Sequence, residues 1–596
     1  MTGYRAPTTA IRFTLEHVIG LETLTSIDAF SHIDSDLLAG ILDEAGRFAS
    51  EVLAPLARVG DTVGSVRNDD GSVTTPPGYR EAYQRFVEAG WPAVAFPEDI
   101  GGGGLPWAIG LAIQEMATSA DLAFSLCPML TYGANDMLME HASDEQHATY
   151  LEKLVTGEWA GTMALTEPQA GSDLGALITR ATPADDGTWR MNGTKIFITW
   201  GEHDLTENII HIVLARTQGA PPGTKGISCF IVPKFLVNAD GSIGDRNDVT
   251  CVSIEHKLGI HASPTCVLAF GDAGEGAVGY MIGEENQGMR YMFTMMNNAR
   301  LAVGLEGLAV TERSYQQAAA YALERRQGHT IGGDRSEMAP IVRHPNVRRM
   351  LMLMRSSAEA MRGVLYRNAM AIDLAHHHPD KTTRRQEADL AAILIPISKA
   401  WATDLGVELT SLGIQIHGGS GYVEETGAAQ WWRDSRISPI YEGTNGIQAQ
   451  DLAMRKIPLD GGAAIRRLLE GIVADAASLE ADLKPIGEHL TTATEAVAEV
   501  ALTFGGWLTE GRFNDVLAGA TPFLKMTGDM LGGWMLARGA AAAAAGADRF
   551  EAEFLSDRIA TASFYAEHVL STVAGRTASA LAGAGSLFGI EEGRFA

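Results

Sequence analysis

The sequence predicts a multidomain α+β chain in which a β-rich segment lies between helical ones, and three observations carry that prediction. Apolar residues recur at helical spacing from Asp34 to about Gly157, as in Leu37, Leu38, Ile41, Leu42, Ala45, Phe48 and Ala49. Around Ala160 the pattern changes to short β-branched or aromatic runs divided by turns, at residues 189–194, 195–199, 209–214, 227–232 and 266–270, which predicts an antiparallel sheet or barrel. After Gly288 the helical period returns over residues 289–326, 347–376 and 385–412, and a length of 596 residues suits several domains.

These changes of texture divide the chain into an N-terminal arm (1–35), a first helical domain (36–159), a β domain (160–285), a second helical domain (286–456) and a further helical portion (457–596). In the arm, Tyr4-Arg5-Ala6-Pro7 precedes Phe13, Leu15, Val18, Ile19 and Leu21, which predicts a short amphipathic piece docking on the body. The last portion carries amphipathic stretches at 465–483, 493–508 and 550–573, and its alanine run at 540–545 reads as helix surface with close neighbours.

Charge and cysteine usage narrow the function classes. A formal charge of −27 argues against a nucleic-acid groove or an anionic membrane surface as the main partner, since both select clustered Lys and Arg. Four cysteines without metal-type spacing predict buried thiols in a reducing compartment, and with no secretory layout at residues 1–12 the expectation is cytoplasmic. No uninterrupted run of about 18 apolar residues occurs, so no membrane span is expected. His376-His377-His378, followed by Pro379-Asp380-Lys381, reads as a polar loop before a metal site, and no metal is expected. Gly101 to Gly104 lacks the Lys-Ser/Thr of a phosphate loop and reads as an interhelical turn.

Chemistry concentrates in three stretches. In Ile440-Tyr441-Glu442-Gly443-Thr444-Asn445-Gly446-Ile447-Gln448, two glycines permit a tight turn before a helix, with Ile437, Pro439, Ile440 and Tyr441 as apolar walls. A carboxylate held there has its charged form disfavoured, which suits a base for a weakly acidic C–H, although a solvated turn glutamate has the same local sequence. Thr166-Glu167-Pro168-Gln169-Ala170-Gly171-Ser172-Asp173 offers hydroxyls and backbone N–H groups to a phosphate or a polar ring edge, or is a plain turn. Gln415-Ile416-His417-Gly418-Gly419-Ser420-Gly421 exposes backbone to a flat or phosphorylated ligand, and Arg325 and Arg326 close a long helix.

Taken in order, these motifs resemble the acyl-CoA dehydrogenase family: a flavin loop at 165–173, a strand motif at Phe197-Ile198-Thr199, a second flavin motif at 415–421 and a catalytic motif at Tyr441-Glu442-Gly443-Thr444. The resemblance covers nearly the whole chain. It implies a fold of helical domain, β-barrel and four-helix bundle, here with an extra C-terminal helical domain, and FAD as cofactor. Leu165, Thr166, Gly171, Ser172, Phe197, Thr199, Thr444 and Gly446 are then expected at the cofactor, with Arg325, Gln415, Gly418 and Gly419 supplied by a neighbouring subunit of a homodimer or dimer of dimers. Ser172, Arg300, Tyr441 and Gly443 are expected at the acyl-CoA, and Glu442 is expected to take the α-proton while the turn's backbone N–H binds the thioester oxygen. Some members carry the base one residue before the arginine matching Arg300; here that residue is Ala299, which cannot accept a proton.

The arm, the phrase Phe197-Ile198-Thr199-Trp200-Gly201-Glu202-His203-Asp204 and the extension resemble the branch acting on 3-methylmercaptopropionyl-CoA, with a broad short-to-medium-chain enzyme of fatty-acid breakdown as the alternative. An electron-transfer flavoprotein is the acceptor the resemblance implies, and an oxygen-using oxidase is the remaining enzymatic reading. A DNA-binding flavoprotein of the alkylation response also belongs to the family, but residues 457–596 hold ten Lys or Arg against eighteen Asp or Glu, a net of −8, so no nucleic-acid partner is expected. Two departures from the family pattern, Trp200 and Arg326-Gln327-Gly328, put the fine shape of the flavin pocket in question.

Overall fold

The computed structural model describes residues 3–332 and 336–596. They form two compact units whose membership cuts across the linear order. One holds the chain up to Gly46, Pro106–Ser119 and Val303–Ala596; the other holds Arg47–Leu105 and Ala120–Ala302.

The second unit is built on eight strands: β1 (Ala160–Ala164), β2 (Arg180–Pro183), β3 (Trp189–Thr199), β4 (Ile209–Thr217), β5 (Ser228–Pro233), β6 (Val249–Ile254), β7 (Thr265–Phe270) and β8 (Ala277–Met281). Their order is β6-β7-β3-β8-β5-β4-β1, and β2 pairs with both β3 and β4, so the path β3-β8-β5-β4-β2 returns to β3 and closes a barrel. The sheet is not purely antiparallel, because β1 and β2 both run parallel to β4. Neither is joined to β4 by a hairpin; the chain first passes through β3, which leaves the direction of return free. The two predicted runs at 189–194 and 195–199 are one strand. Met191, Val213, Phe230, Val232, Leu268 and Phe270 fill the interior. Gly102 belongs to a turn packed on itself, since a Cβ there would lie 2.0 Å from the Phe96 carbonyl oxygen.

The first unit is helical. Its main elements are residues 303–324 of the Gly288–Glu324 helix, the helices Pro345–His377 and Lys381–His417, the short Asn445–Asp451 helix, and the extension helices Ala463–Ala477, Lys484–Thr509, Phe513–Ala544 and Ala552–His568. The arm docks on the extension as its pattern predicts: Phe13 meets Phe550 and Phe554 edge-on, with ring centroids 5.2 and 5.5 Å apart. A buried pair, Arg362 to Glu115 at 2.6 Å with Glu312 at 3.1 Å, ties the Trp107–Ala120 helix into the same unit. By length and apolarity the segment Lys381–Tyr422 is long enough to cross a membrane, but 72% of its most apolar stretch is buried, as in a core helix. His377 packs against Phe30 and His378 accepts the Asp380 N–H through Nδ1, which gives both rings local structural work.

Within this unit the 303–324 segment and the Lys381–His417 helix approach to backbone contact. A Cβ on Gly304 would lie 2.4 Å from the Ser398 carbonyl oxygen, and one on Gly307 would lie 2.1 Å from that of Ala402. Only glycine permits such an approach, and because the obstructing atoms are backbone, no rotamer change relieves a clash. Gly307→Ala is therefore expected to destabilise the protein by about 1–3 kcal/mol, the cost of overpacking, read as a lower denaturant midpoint with the slope unchanged.

Candidate active site

In the second unit the loop after β1 is shaped by one buried acid. Glu167 pairs with Lys195 at 2.8 Å and also accepts the backbone N–H groups of Ile178 and Thr179 at 2.7 and 3.1 Å. Lys195 in turn donates to the Leu165 carbonyl at 2.9 Å, and Ile196 N–H donates to the Thr166 carbonyl at 2.9 Å. Burial raises the Glu167 pKa, but the Lys195 charge and these hydrogen bonds outweigh it and hold the carboxyl at about 2. Leu165 and Thr166 are thereby fixed beside the end of β3, which carries Phe197 and Thr199, while Gly171 and Ser172 sit exposed farther along the loop.

The end of β3 is bent. Phe197 and Trp200 have φ of 58° and 52°, left-handed values rare for such side chains, and the register with β7 shifts beside them. The bend leaves Phe197 58% exposed while Trp200 turns inward, 1% exposed, with its ring N–H donating to the Ala123 carbonyl at 3.1 Å. Trp200 thus packs inside its own unit. Arg300, also in this unit, lies over the Phe293 ring, and the preceding Ala299 is buried.

In the first unit Glu442 stands on the tight turn its sequence predicts, half-buried, ahead of the Asn445–Asp451 helix that Thr444 caps by accepting the Ile447 N–H at 3.3 Å. The backbone strain is distributed differently from expectation. Glu442 itself is left-handed at φ 56°, followed by Gly443 at 84°, whereas Gly446 lies in the helix with ordinary angles. Gly446 contributes open space instead, since only Thr444 Oγ1, at 3.8 Å, approaches its Cβ position.

Two buried anchors that sequence reading missed hold this turn. Glu306 accepts the Ser438 hydroxyl at 2.6 Å and the Tyr441 hydroxyl, so Tyr441, expected at the substrate, directs its phenol to Glu306. Lys399, fully buried, donates to Asn445 Oδ1 at 2.8 Å, and Asn445 Nδ2 donates to the Ala400 carbonyl and to Asp404 at 3.1 and 2.7 Å. Burial pushes the Glu306 carboxyl up to about 7; Ser438, Tyr441 and Lys399 pull against that rise, and the Glu442 charge adds to it. A signal existed for Lys399, a lone cation among Ile393, Leu394, Ile395, Ile397 and Trp401, because such a charge demands a buried partner.

The glycine-rich loop and Arg325 are brought together elsewhere in this unit. His417 stacks on Tyr321, with ring centroids 4.6 Å apart, one turn before Arg325, and Gln415, Gly418, Gly419 and Arg325 are all exposed. Arg326 and Gln327 instead pair with residues 338–340, so this departure from the family pattern forms a local two-stranded link.

Family models match the chain in series: the acyl-CoA dehydrogenase N-terminal domain at 38–158, its middle domain at 162–273, its C-terminal domain at 286–457, and an acetyl-CoA dehydrogenase C-terminal-like domain at 465–591. A 3-methylmercaptopropionyl-CoA dehydrogenase of Ruegeria pomeroyi is 46% identical over 574 residues, covering 95% of this chain and 96% of its own. The chain belongs to the acyl-CoA dehydrogenase family. It is an FAD-dependent oxidoreductase of acyl-CoA thioesters. The broad-specificity linear acyl-CoA dehydrogenase FadE5 of Mycobacterium tuberculosis is 34% identical over 593 residues, covering 96% of each chain. In fold, the acyl-CoA dehydrogenase of Bacillus anthracis solved with FAD superposes with a TM-score of 0.73 at 20% identity, covering 93% of this chain and 89% of that one.

The side chains present fit a flavin. Gln448, one turn beyond the Glu442 loop, is 1% exposed, and its amide oxygen and nitrogen are both without a partner among the described residues, as expected of a group awaiting a polar ring edge. Lys195→Met should leave Glu167 buried and unpaired, lowering stability by about 3–5 kcal/mol. FAD should be lost from the variant at lower temperature than from wild type, as followed by flavin fluorescence during melting.

Proposed function

We propose that the protein oxidises 3-methylmercaptopropionyl-CoA to its α,β-unsaturated thioester, with Glu442 as the base. The identity of 46% along nearly the entire chain supports this acyl group over the linear chains in the name of the 34% identical relative. Leu165, Thr166, Gly171, Ser172, Phe197, Thr199, Thr444, Gly446 and Gln448 are the residues that would hold the flavin. Arg325, Gln415, Gly418 and Gly419, exposed on their own chain, would serve the flavin of a neighbouring subunit in a homodimer or dimer of dimers. Bound there, FAD would supply the two-electron acceptor for the hydride leaving the β-carbon, and an electron-transfer flavoprotein would be the onward acceptor.

The chain's own part in the reaction is to orient the thioester and remove the α-proton. Arg300 and Ser172 would meet the CoA portion, and Glu442 stands on a turn whose flanking residues Ser438, Tyr441 and Asn445 are held by buried polar contacts. A base held in one geometry spends no further ordering entropy in the transition state.

Glu442→Gln keeps the shape and the left-handed backbone but cannot accept the proton. Anaerobic mixing with 3-methylmercaptopropionyl-CoA should reduce the flavin about a hundredfold to ten-thousandfold more slowly than wild type, with FAD content and melting temperature retained. Reduction at the wild-type rate would remove Glu442 as the base. A panel of acyl-CoA substrates with a dye acceptor should give its highest kcat/KM for the methylthio substrate; a maximum at a linear acyl chain favours the broad-specificity reading. Light scattering of the active holoenzyme should give at least a dimer, and a monomeric mass would contradict the shared flavin site.

A further inference from the structure

The extension helix Phe513–Ala544 has no part in the reaction as described, yet it packs against both helices behind the Glu442 turn, Lys381–His417 and Asn445–Asp451. All three belong to the first unit. The contact with the longer one is built around a single buried ring. A Cβ on Gly528 would lie 2.2 Å from Trp401 Cγ, and one on Gly532 would lie 3.0 Å from Trp401 Cη2, so the indole occupies the space that side chains at 528 and 532 would take. Between those glycines Asp529, 1% exposed, accepts the Trp401 ring N–H through Oδ1 at 2.9 Å. Lys525 donates to the same oxygen at 3.0 Å, Arg576 lies 3.4 Å from the other, and the Asp529 carbonyl accepts the Tyr565 hydroxyl at 3.2 Å. Three segments of the extension therefore hold the acceptor that Trp401 meets.

The turn of helix that carries Trp401 is gripped on three faces. Ser398 and Ala402 meet Gly304 and Gly307. Lys399 donates to Asn445 Oδ1, and the Asn445 amide donates back to the Ala400 carbonyl, Thr403 and Asp404. Trp401 takes the remaining side, toward the extension. The glycine contact fixes how far apart the two helices stand, but glycine presents no side chain to resist rotation of the segment about its own axis. An indole has only two rotatable bonds, and an N–H at its end that must point at one carboxyl oxygen does resist that rotation.

We propose that Asp529 is a positioning residue for the base: through Trp401 it sets the rotation of residues 398–404, and through Asn445 that rotation sets where the Glu442 turn stands. The extension then serves the reaction by holding the base in place. This rests on the reading of Glu442 as the base. Misplacing a reacting group by about 1 Å costs about a hundredfold in rate, so losing one anchor among several is expected to cost about tenfold.

The test uses the full-length holoenzyme and the acyl-CoA that the substrate panel ranks first. Anaerobic mixing over a range of concentrations separates the limiting rate of flavin reduction from substrate affinity. Trp401→Phe keeps a ring between the glycines and removes the N–H, Asp529→Ala removes the acceptor, and Asp529→Asn keeps an amide oxygen for Trp401. Trp401→Phe and Asp529→Ala should lower the limiting rate about tenfold with half-saturation and FAD content unchanged, and Asp529→Asn should stay within about twofold of wild type. A merely structural contact would lower the melting temperature and leave the limiting rate alone. The Glu442→Gln/Trp401→Phe double variant decides the route of the effect. If Trp401 acts through the base, its substitution adds nothing to the residual rate of Glu442→Gln, whereas an effect on flavin or substrate placement would multiply with it. Should Asp529→Ala not fold, Trp401→Phe and the double variant still give the answer. A wild-type limiting rate in Trp401→Phe, an Asp529→Asn variant about tenfold slower than wild type, or the full tenfold retained in the double variant overturns the proposal while Glu442→Gln stays slow. Wild-type flavin reduction by Glu442→Gln overturns the base assignment itself and this inference with it.

Discussion

The helical unit depends on one close contact, the approach of Gly304 and Gly307 to the carbonyl groups of Ser398 and Ala402. Two helix backbones that touch leave no room for water, so the side chains flanking the contact are buried whatever their chemistry. Lys399 stands next to Ser398 at that contact and bonds Asn445, while Glu306, elsewhere around the helix that carries the two glycines, bonds Ser438 and Tyr441, so both helices hold the same turn. Residues 438–445 are thus suspended from the helix pair by polar bonds made in a dry interior. Such bonds are strong because the dielectric is low, and breaking one leaves a buried group without its partner.

The barrel unit uses the same device with a different pair. Glu167 and Lys195 are buried together, and between them they hold the Leu165 carbonyl and two backbone N–H groups of the loop that follows β1. In both units some of the residues proposed to hold the ligand, among them Thr166, Gly171, Ser172 and Glu442, stand on irregular backbone, which has few hydrogen bonds of its own to define its shape. The definition comes from a charged side chain beneath it. This is an expensive way to build a loop, since burying a charge is unfavourable by itself, but it fixes donor positions to a fraction of an ångström, which a flexible loop does not.

Much of this architecture can be read from the sequence, and the exceptions have physical causes. The long helices of the first unit announce themselves by period, and the predicted range 289–326 differs from the observed Gly288–Glu324 only at its ends. Strands β1, β2, β6 and β8 did not announce themselves: Ala-Gly-Thr-Met-Ala in β1, for one, is buried on both faces and has no alternation to detect. The Glu442 turn is legible because Gly443 follows the acid directly, but Gly446 lies in the helix instead of the turn, and Glu442 itself takes the left-handed conformation. Glu306 lies more than a hundred residues before the turn it holds, and no local pattern connects them; only the fold makes Tyr441 its neighbour. Trp200 was a departure without a reason until the bend of β3 turned its ring toward Ala123.

The backbone angle at Glu442 has an evolutionary corollary. A residue with a Cβ at φ 56° carries about 1–2 kcal/mol of steric penalty that glycine would not. With Glu442 as the proposed base, the most stable chain and the active chain differ at this position. Lineages that keep the fold but lose the need for dehydrogenation gain stability by drifting toward glycine at 442, whereas lineages under selection for turnover hold the glutamate against that gradient. On that proposal, position 442 is the place in this fold where a change of occupation would first record that a descendant had abandoned the chemistry.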